Sequence, residues 1–523
     1  MNFKLKRIVF SYIIVVAVSL AGLFQGNLYA TGKQKDKSIL KVDDFKHFVD
    51  YFNRMEDENL SFAIPNAEAW DWMKANIPLF ECPQDNFEEI YYYRWWTYRK
   101  HIKETPKGWG ITEFLVDRPY ADKYNLIACA IGHHIMEGRW LHNPEYIQQY
   151  AHVWYRGNEG KPMNKLHKFS SWTPYALLQA YYVNSDKDYL VDMFPDLTAD
   201  YKLWEKERRN ANGLFWQNDV KDGMEEQISG GRHERNERPT INSYMFGNAE
   251  ALAEIAELDG DQATSKLYAA KADTLKELID ANLWDPEDQF FETVKEKGGF
   301  AKVREQIGFI PWYFNIPTTE QSVAWKQIND NNGFSAPFGL TTAERRHPDF
   351  RSNGCCKCEW DGAIWPFATA QTLTGLANLL NDYKQDVVTD STYFRQMELY
   401  VESQYHRGRP YVGEYLDEVT GYWLKGDQER SRYYNHSTFN DLMITGLVGL
   451  RPRADEVLEV NPLVPAGKWD WFCLDKVLYH GKMVTIVWDK TGEKYGKGKG
   501  LYLMVDGKEV ARRADLGKLT GKL

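Results

Sequence analysis

Cysteine is scarce: the 523 residues contain six. Cys82, Cys129 and Cys473 are solitary, and Cys355, Cys356 and Cys358 cluster in a Gly-Cys-Cys-Lys-Cys run. So few exclude a disulfide-built scaffold. A structural zinc site needs four ligands, and no second Cys or His group stands at finger-like spacing. One disulfide, or packing of small side chains near a binding surface, is what the cluster suggests. Blocks of like charge are also missing. The net charge is −10 and the pI about 5.7, with acidic and basic residues interspersed. That sets aside nucleic acid and anionic membrane surfaces as partners. No long apolar run follows residue 30, so the rest of the chain is expected to be soluble once the start is removed.

What is present in excess is aromatic: 15% of the chain, with 19 Trp and 32 Tyr. Rings with a polar tip suit sugar faces, stacking on C–H groups while N–H and O–H reach hydroxyls. A large core built of aromatics has the same composition. The first thirty residues have a basic start (Lys4, Lys6, Arg7), an apolar run from Ile8 to Phe24 and a cut position after Ala30. They read as a secretory signal peptide, which places the mature chain in the periplasm or outside the cell. An uncleaved anchor is the rival, because the run nears the ~18 residues that span a bilayer. The expected division is residues 1–30 signal peptide, 31–42 linker, 43–453 a main helical domain and 454–523 a small β domain.

Between Asp43 and Arg453 apolar residues recur at helical spacing. Leu197, Tyr201 and Trp204 follow Pro195, which predicts a helix opening there. Leu252, Ile255 and Leu258 lead to a stop at Gly260, and Tyr268, Ala272, Leu275 and Ile279 mark the next helix with Asp261 as its cap. Leu373, Leu376 and Leu380 mark another, and HSTFNDLMITGLVGL reads as a last apolar helix. The loops between pairs, such as NLWDPEDQFF, are rich in Trp, Asp, Gly and Phe. No repeat of fixed length stands out, which argues against a solenoid. After Pro452, KVLYHGKMVTIVWDKTG and GLYLMVDGKEVARR read as strands around Gly and Asp-Gly turns. That segment lacks a cluster of catalytic residue types, so it is expected to pack on the main domain, with sugar binding as the second reading.

Three loops carry chemistry. GLFWQNDVKDGMEEQ crowds Asp219, Asp222, Glu225 and Glu226 beside Phe215 and Trp216, with Glu234 just beyond. Like charges at close range, beside rings that exclude water, raise a carboxyl pKa, as a general acid requires. A solvated acidic loop is the plainer reading. The segment resembles the acid-bearing loop of inverting six-hairpin glycosidases, the group of glycoside hydrolase family 63, trehalase and mannosylglycerate hydrolase. There the loop reads approximately Ser-Gly-(Met or Trp)-Asp-Asn. In Asp222-Gly223-Met224-Glu225-Glu226 the Gly and Met agree, Glu225 takes the acid's place and Asp222 the Ser position, so either carboxylate is a candidate acid. RPYVGEYLDEVTGYW resembles the same group's base-bearing stretch. Glu414 and Tyr415, followed by Thr420-Gly421, match it in order and spacing, which implies Glu414 as general base. An inverting pair stands about 6.5–9.5 Å apart, leaving room for a water. CEWDGAIWPFAT resembles the Trp-Arg-Gly-Pro-(Ile or Val)-Trp segment that lines the sugar subsite, with Asp361 where relatives have Arg. It implies Trp360 and Trp365 as walls and Asp361 as a binder of hydroxyls.

Weaker fits complete the candidate site. Arg94 and Trp95 in YYYRWWTYRKH, and Glu113 in GITEFL, would wall it, with Trp216 and Tyr415 as further substrate contacts. Arg238, Asn242 and Tyr244 follow the acid loop, and Asn435 and His436 in YYNHSTFND would fix the base loop by hydrogen bonds. His133 and His134 are adjacent, cannot share a helix face, and read as satisfied buried histidines. The resemblance implies a mainly α fold, an (α/α)6 toroid barrel with a small C-terminal β domain. It also implies an exported, inverting glycoside hydrolase acting mostly on α-linked sugars of an oligo- or polysaccharide, a chemistry requiring no cofactor and no metal. Rival readings are a polysaccharide lyase or sugar epimerase on the same ring, recruiting His133, His134, His233 or His436, and a non-catalytic glycan-binding protein. A phosphorylase would need a basic cluster in place of Glu414. The sequence leaves the sugar, the linkage and the oligomeric state open.

Overall fold

The computed structural model describes residues 38–354 and 358–523, so the signal-peptide reading, most of the linker, Cys355 and Cys356 lie outside the described residues. Local chemistry sets most helix ends. Pro239 opens the helix Pro239–Asp259, at a position where its missing N–H costs nothing, and Gly260 closes it at φ 85. Asp261 then caps Gln262–Leu283 by accepting from Thr264 N at 3.0 Å. The expectation at Pro195 is corrected, because this residue lies inside the helix Lys187–Arg208. Asp186 accepts from Tyr189 N at 3.1 Å and starts the helix upstream. The buried face of Leu190, Met193 and Leu197 offsets the roughly 3 kcal/mol that an interior proline costs.

Six segments, Ile131–Gly138, Thr173–Asn184, Pro239–Asp259, 306–313, Pro366–Asp382 and 440–447, each pack on the next, and the last returns to the first. The helices that alternate with them in sequence form an outer layer, closed where Asp390–Ser403 meets Asp85–Lys100. The result is a mainly α, (α/α)6 toroid. Its inner helices are covered all round, as a helix between two neighbours and an outer layer must be; every residue of Ile131–Gly138 is buried. Close approach there depends on glycine. A Cβ on Gly132 would fall inside the Trp172 indole, so Gly132→Ala is expected to cost about 1–3 kcal/mol by overpacking, read as a lower denaturant midpoint at unchanged slope.

The last inner helix is shorter than its apolar run predicts: it begins at Asn440, and residues 435–438 are a loop. The buried Glu137 carboxylate fixes that start by accepting from Phe439, Asn440 and Asp441 N at 3.1, 2.9 and 2.9 Å. It thereby fills the unpaired donors of a helix N-terminus.

The C-terminal segment forms a five-stranded antiparallel sheet ordered Leu79–Glu81, Trp471–Tyr479, Lys482–Asp489, Gly500–Val505, Lys508–Arg513. Its first strand comes from the helical part, with Phe80 opposite Leu474. The boundary at 453/454 is therefore no break in packing, and residues 38–523 form one compact unit. Asp475 accepts from Ser38 Oγ and from Ile39 and Leu40 N at 2.6, 2.6 and 2.9 Å, fastening the first described residues to the sheet. Among the described residues no helix is long and apolar enough to cross a membrane.

Candidate active site

Loops joining the helices converge through a narrow ladder in which Thr341, Ile364, Leu416 and Trp423 pair in turn. That ladder sets the Trp360–Trp365 loop beside Glu414 and Tyr415. The two indoles stack at 4.0 Å and 18°, and Tyr415 meets Trp360 edge-on at 5.2 Å. Trp365 Nε1 donates to His436 Nε2 at 2.7 Å. Burial, reinforced by His133, holds the His436 imidazole well below its usual pKa, so it stays neutral and can accept.

Three carboxyl groups from three loops meet here. Lys425 and Arg430 both ion-pair with Glu414 Oε2, at 3.1 and 2.8 Å. Glu113 receives the Tyr434 hydroxyl on one oxygen and the Cys129 thiol, at 3.6 Å, on the other. Burial pushes Glu113 up to about 8; the Tyr434 and Cys129 donors oppose this and the charges of Glu414 and Glu225 add to it. Glu225 follows a tight turn in which Gly223, at φ 75, donates to Asp219 O and Val220 O. Its Oε1 accepts from Cys358 Sγ at 3.2 Å. Burial is the main cause that raises Glu225 above the usual carboxylate range; the Cys358 thiol works against it and the charge of Glu414 with it.

Crowding within the acid loop is therefore not what raises Glu225. Three of the four acidic neighbours have their own cation: Asp222 pairs with Arg238 at 2.8 Å and accepts from Thr240, Glu226 pairs with Arg232, and Glu234 with Lys295 at 2.9 Å, while Asp219 accepts from Val220 N at 2.6 Å. Asp222 and Arg238 have no exposed side-chain surface, so Asp222 is held in a buried ion pair, which disfavours it against Glu225 as the acid.

Other expected contacts are also displaced. Arg94 bonds Gln404 at 3.0 Å and Ser437 O at 2.8 Å, so it supports the loop after His436 from beneath. Trp95 is wholly buried among Tyr91 and Tyr98. Trp216 lies between the guanidinium groups of Arg208 and Arg235, at 4.4 and 4.7 Å. Asp361 accepts from Asn353 N at 2.9 Å, and Asn353 reaches Glu226 O at 2.9 Å, tying the Trp loop to the acid loop. Asn435 acts largely through its backbone, donating to Glu113 O at 3.0 Å and accepting from His134 at 2.7 Å. His134 also meets Tyr150 OH at 2.9 Å, and burial holds it down to about 4, as a satisfied core histidine.

Lys425, Arg430, Tyr434, Cys129 and the thiol of Cys358 were not legible as site residues. The signal was present for two of them, since Lys425 and Arg430 follow Glu414 in the same charged hairpin. Only folding turns them back onto it.

The Cys358 thiol donates to the ionised form of Glu225, so Cys358→Ala is expected to raise that group further. An acid works only while protonated, so the alkaline limb of the kcat/KM profile is expected to shift to higher pH. An unmoved limb would show that the thiol does not tune this carboxyl.

A family model described as the mannosylglycerate hydrolase MGH1-like glycoside hydrolase domain matches residues 123–437, and one for the C-terminal domain of glycosyl hydrolase family 65 matches residues 450–512. A solved structure titled sialidase is 64% identical with a TM-score of 0.92 over 93% of this chain and 45% of its own. The mannosylglycerate hydrolase of family 63 from Thermus thermophilus, in complex with glucose, aligns over 64% of this chain and 95% of its own at 13% identity and TM-score 0.50. A family 78 rhamnosidase of Bacillus sp. GL1 aligns over 79% and 40% at 12% identity and TM-score 0.53. These two share the fold. A protein of Borreliella burgdorferi is 23% identical over 195 residues, 35% of this chain and 38% of its own. The chain thus spans less than half the length of the sialidase chain and of the Borreliella protein. With more than half its residues inside the first model, this chain belongs to the MGH1-like glycoside hydrolase domain family.

Proposed function

We propose that the chain is an exported glycoside hydrolase that cleaves a glycosidic bond, most often α-linked, by inversion. Glu225 protonates the leaving oxygen and Glu414 takes a proton from the attacking water. The observation that carries this reading is the meeting of Glu225 and Glu414, from loops far apart in sequence, with Glu225 raised by burial and by Glu414 itself. An acid near neutral pH must hold its proton, and burial supplies that. Trp360 and Trp365 supply an aromatic wall, and Tyr415 orders it. Glu113 completes the pocket as a carboxyl raised to about 8; as the neutral acid it donates a hydrogen bond to a sugar hydroxyl. The name sialidase belongs to a chain of which this fold covers 45%, so that activity is not carried over. Export rests on residues 1–30 and is tested by sequencing the mature N-terminus from the periplasm or medium; a start at Met1 in a membrane fraction would replace the signal peptide with an anchor.

The test of the activity is a panel of aryl α- and β-glycosides and of plant and host glycans, with NMR of the first-formed anomer. Hydrolysis with the inverted anomer formed first supports the two-carboxylate reading. Retention at the anomeric carbon refutes the roles given to Glu225 and Glu414. Binding without turnover across the panel would mark a glycan-binding protein instead.

A further inference from the structure

The hairpin after the helix Gln262–Leu283 pairs Trp284–Asp285 with Phe290–Phe291. Its turn gathers the carboxylates of Asp285, Asp288 and Glu292, one oxygen of each lying within 4.8 Å of the others. Glu292 is only 1% exposed. Its Oε2 accepts from Lys302 N at 2.8 Å, while its Oε1 is shielded from water and has no hydrogen-bond partner. A buried carboxyl oxygen with no donor, beside two further carboxylates, is costly unless it keeps a proton, which burial and Asp288 favour, or a cation takes that proton's place. The nearby cations pair with the two aspartates of the cluster and not with Glu292: Lys302 Nζ holds Asp285 and Glu287, each at 2.7 Å, and stands 4.0 Å from Asp288. Arg304 is shared between Asp288 and Glu344, at 3.0 Å each.

We propose that this hairpin is a binding site for a divalent cation of the calcium type, held by Asp285, Asp288 and Glu292, with the half-exposed Lys302 side chain swinging into solvent as the ion enters. The ligand chemistry selects the ion. An all-oxygen set without Cys or His takes a hard cation, and carboxylates offered from a turn suit the flexible coordination that calcium accepts, whereas magnesium demands a near-ideal octahedron. The site is placed to brace the candidate acid loop. Val294, two residues beyond Glu292, exchanges backbone hydrogen bonds with Glu237 at 2.9 Å in both directions. Glu305, beyond Arg304, accepts from Ser229 N at 3.1 Å and from its hydroxyl. The ion therefore fastens the strand-like segments that hold both ends of the stretch following Glu225.

The test uses the whole chain, stripped with EDTA and titrated with terbium and then calcium. Trp284 adjoins Asp285 and serves as the sensitiser. Expected are saturable sensitised emission that calcium displaces, an apparent Kd on the order of 10⁻⁴–10⁻³ M, and a Tm raised by a few degrees in millimolar calcium relative to EDTA. Glu292→Gln keeps the shape and removes a charged ligand, and is expected to weaken calcium binding by about tenfold or more. Lys302→Met removes the competing ammonium and is expected to tighten binding several-fold, an effect that a purely structural role for Lys302 does not produce. If Glu292→Gln fails to fold, Lys302→Met still decides. No sensitised emission and no Tm response up to about 10 mM calcium in either the parent or Lys302→Met overturns the proposal, as does calcium binding that Lys302→Met leaves unchanged.

Discussion

Glu414→Gln is expected to lower kcat/KM by about 10²–10⁴-fold, on every substrate the chain hydrolyses, because amide nitrogen cannot take a proton from water. Glu225→Gln is expected to lose as much on substrates with poor leaving groups and far less on dinitrophenyl glycosides, whose leaving oxygen needs no proton. The split between the two variants is the informative result. It assigns acid and base separately, where loss of activity alone would only show that both residues matter. Equal losses on both substrate classes for Glu225→Gln would deny it the acid's role. Full activity in Glu414→Gln would remove it as base.

The second large effect is on stability. Asp222→Asn leaves the Arg238 guanidinium buried with a neutral partner, and breaking a buried ion pair in this way costs about 3–5 kcal/mol. Urea unfolding is expected to show a markedly lower midpoint, while any residual activity of the folded fraction stays near that of the parent. Replacing Asp222 and Arg238 together by apolar residues of similar volume is expected to recover much of the loss, because removing both charges removes the desolvation penalty of each. A variant that folds with parental stability and has lost activity would return Asp222 to the chemistry.

These two outcomes rest on different kinds of information. Asp222, Glu225 and Glu226 are equivalent as letters in one acidic run. What separates them is the partner each one meets: Asp222 has Arg238 and Glu226 has Arg232, whereas Glu225 has the Cys358 thiol, brought to it from a loop remote in sequence. The same holds for Glu414, whose partners Lys425 and Arg430 reach it across a hairpin. It holds too for Cys358, where the sequence suggests one disulfide or small-residue packing and the thiol donates to Glu225.

By itself the sequence determined the local features: helix caps at Gly260 and Asp261, the helical period of the inner and outer segments, the strands after Pro452, and the three loops that carry carboxylates and indoles. Those depend on interactions within a few residues, and their signals survive in one dimension. It misjudged Pro195, where a remote cap at Asp186 and a buried face outweigh proline's local preference. It also extended the last helix into residues 436–439, whose true boundary is set by Glu137 from another helix. The tertiary structure alone decided which carboxyl is desolvated, which is neutralised and which is left without a donor, as at Glu292. Desolvation and charge pairing depend on distance in space rather than along the chain, so a closed ring that joins residue 113 to 225 and 414 settles what no stretch of sequence contains.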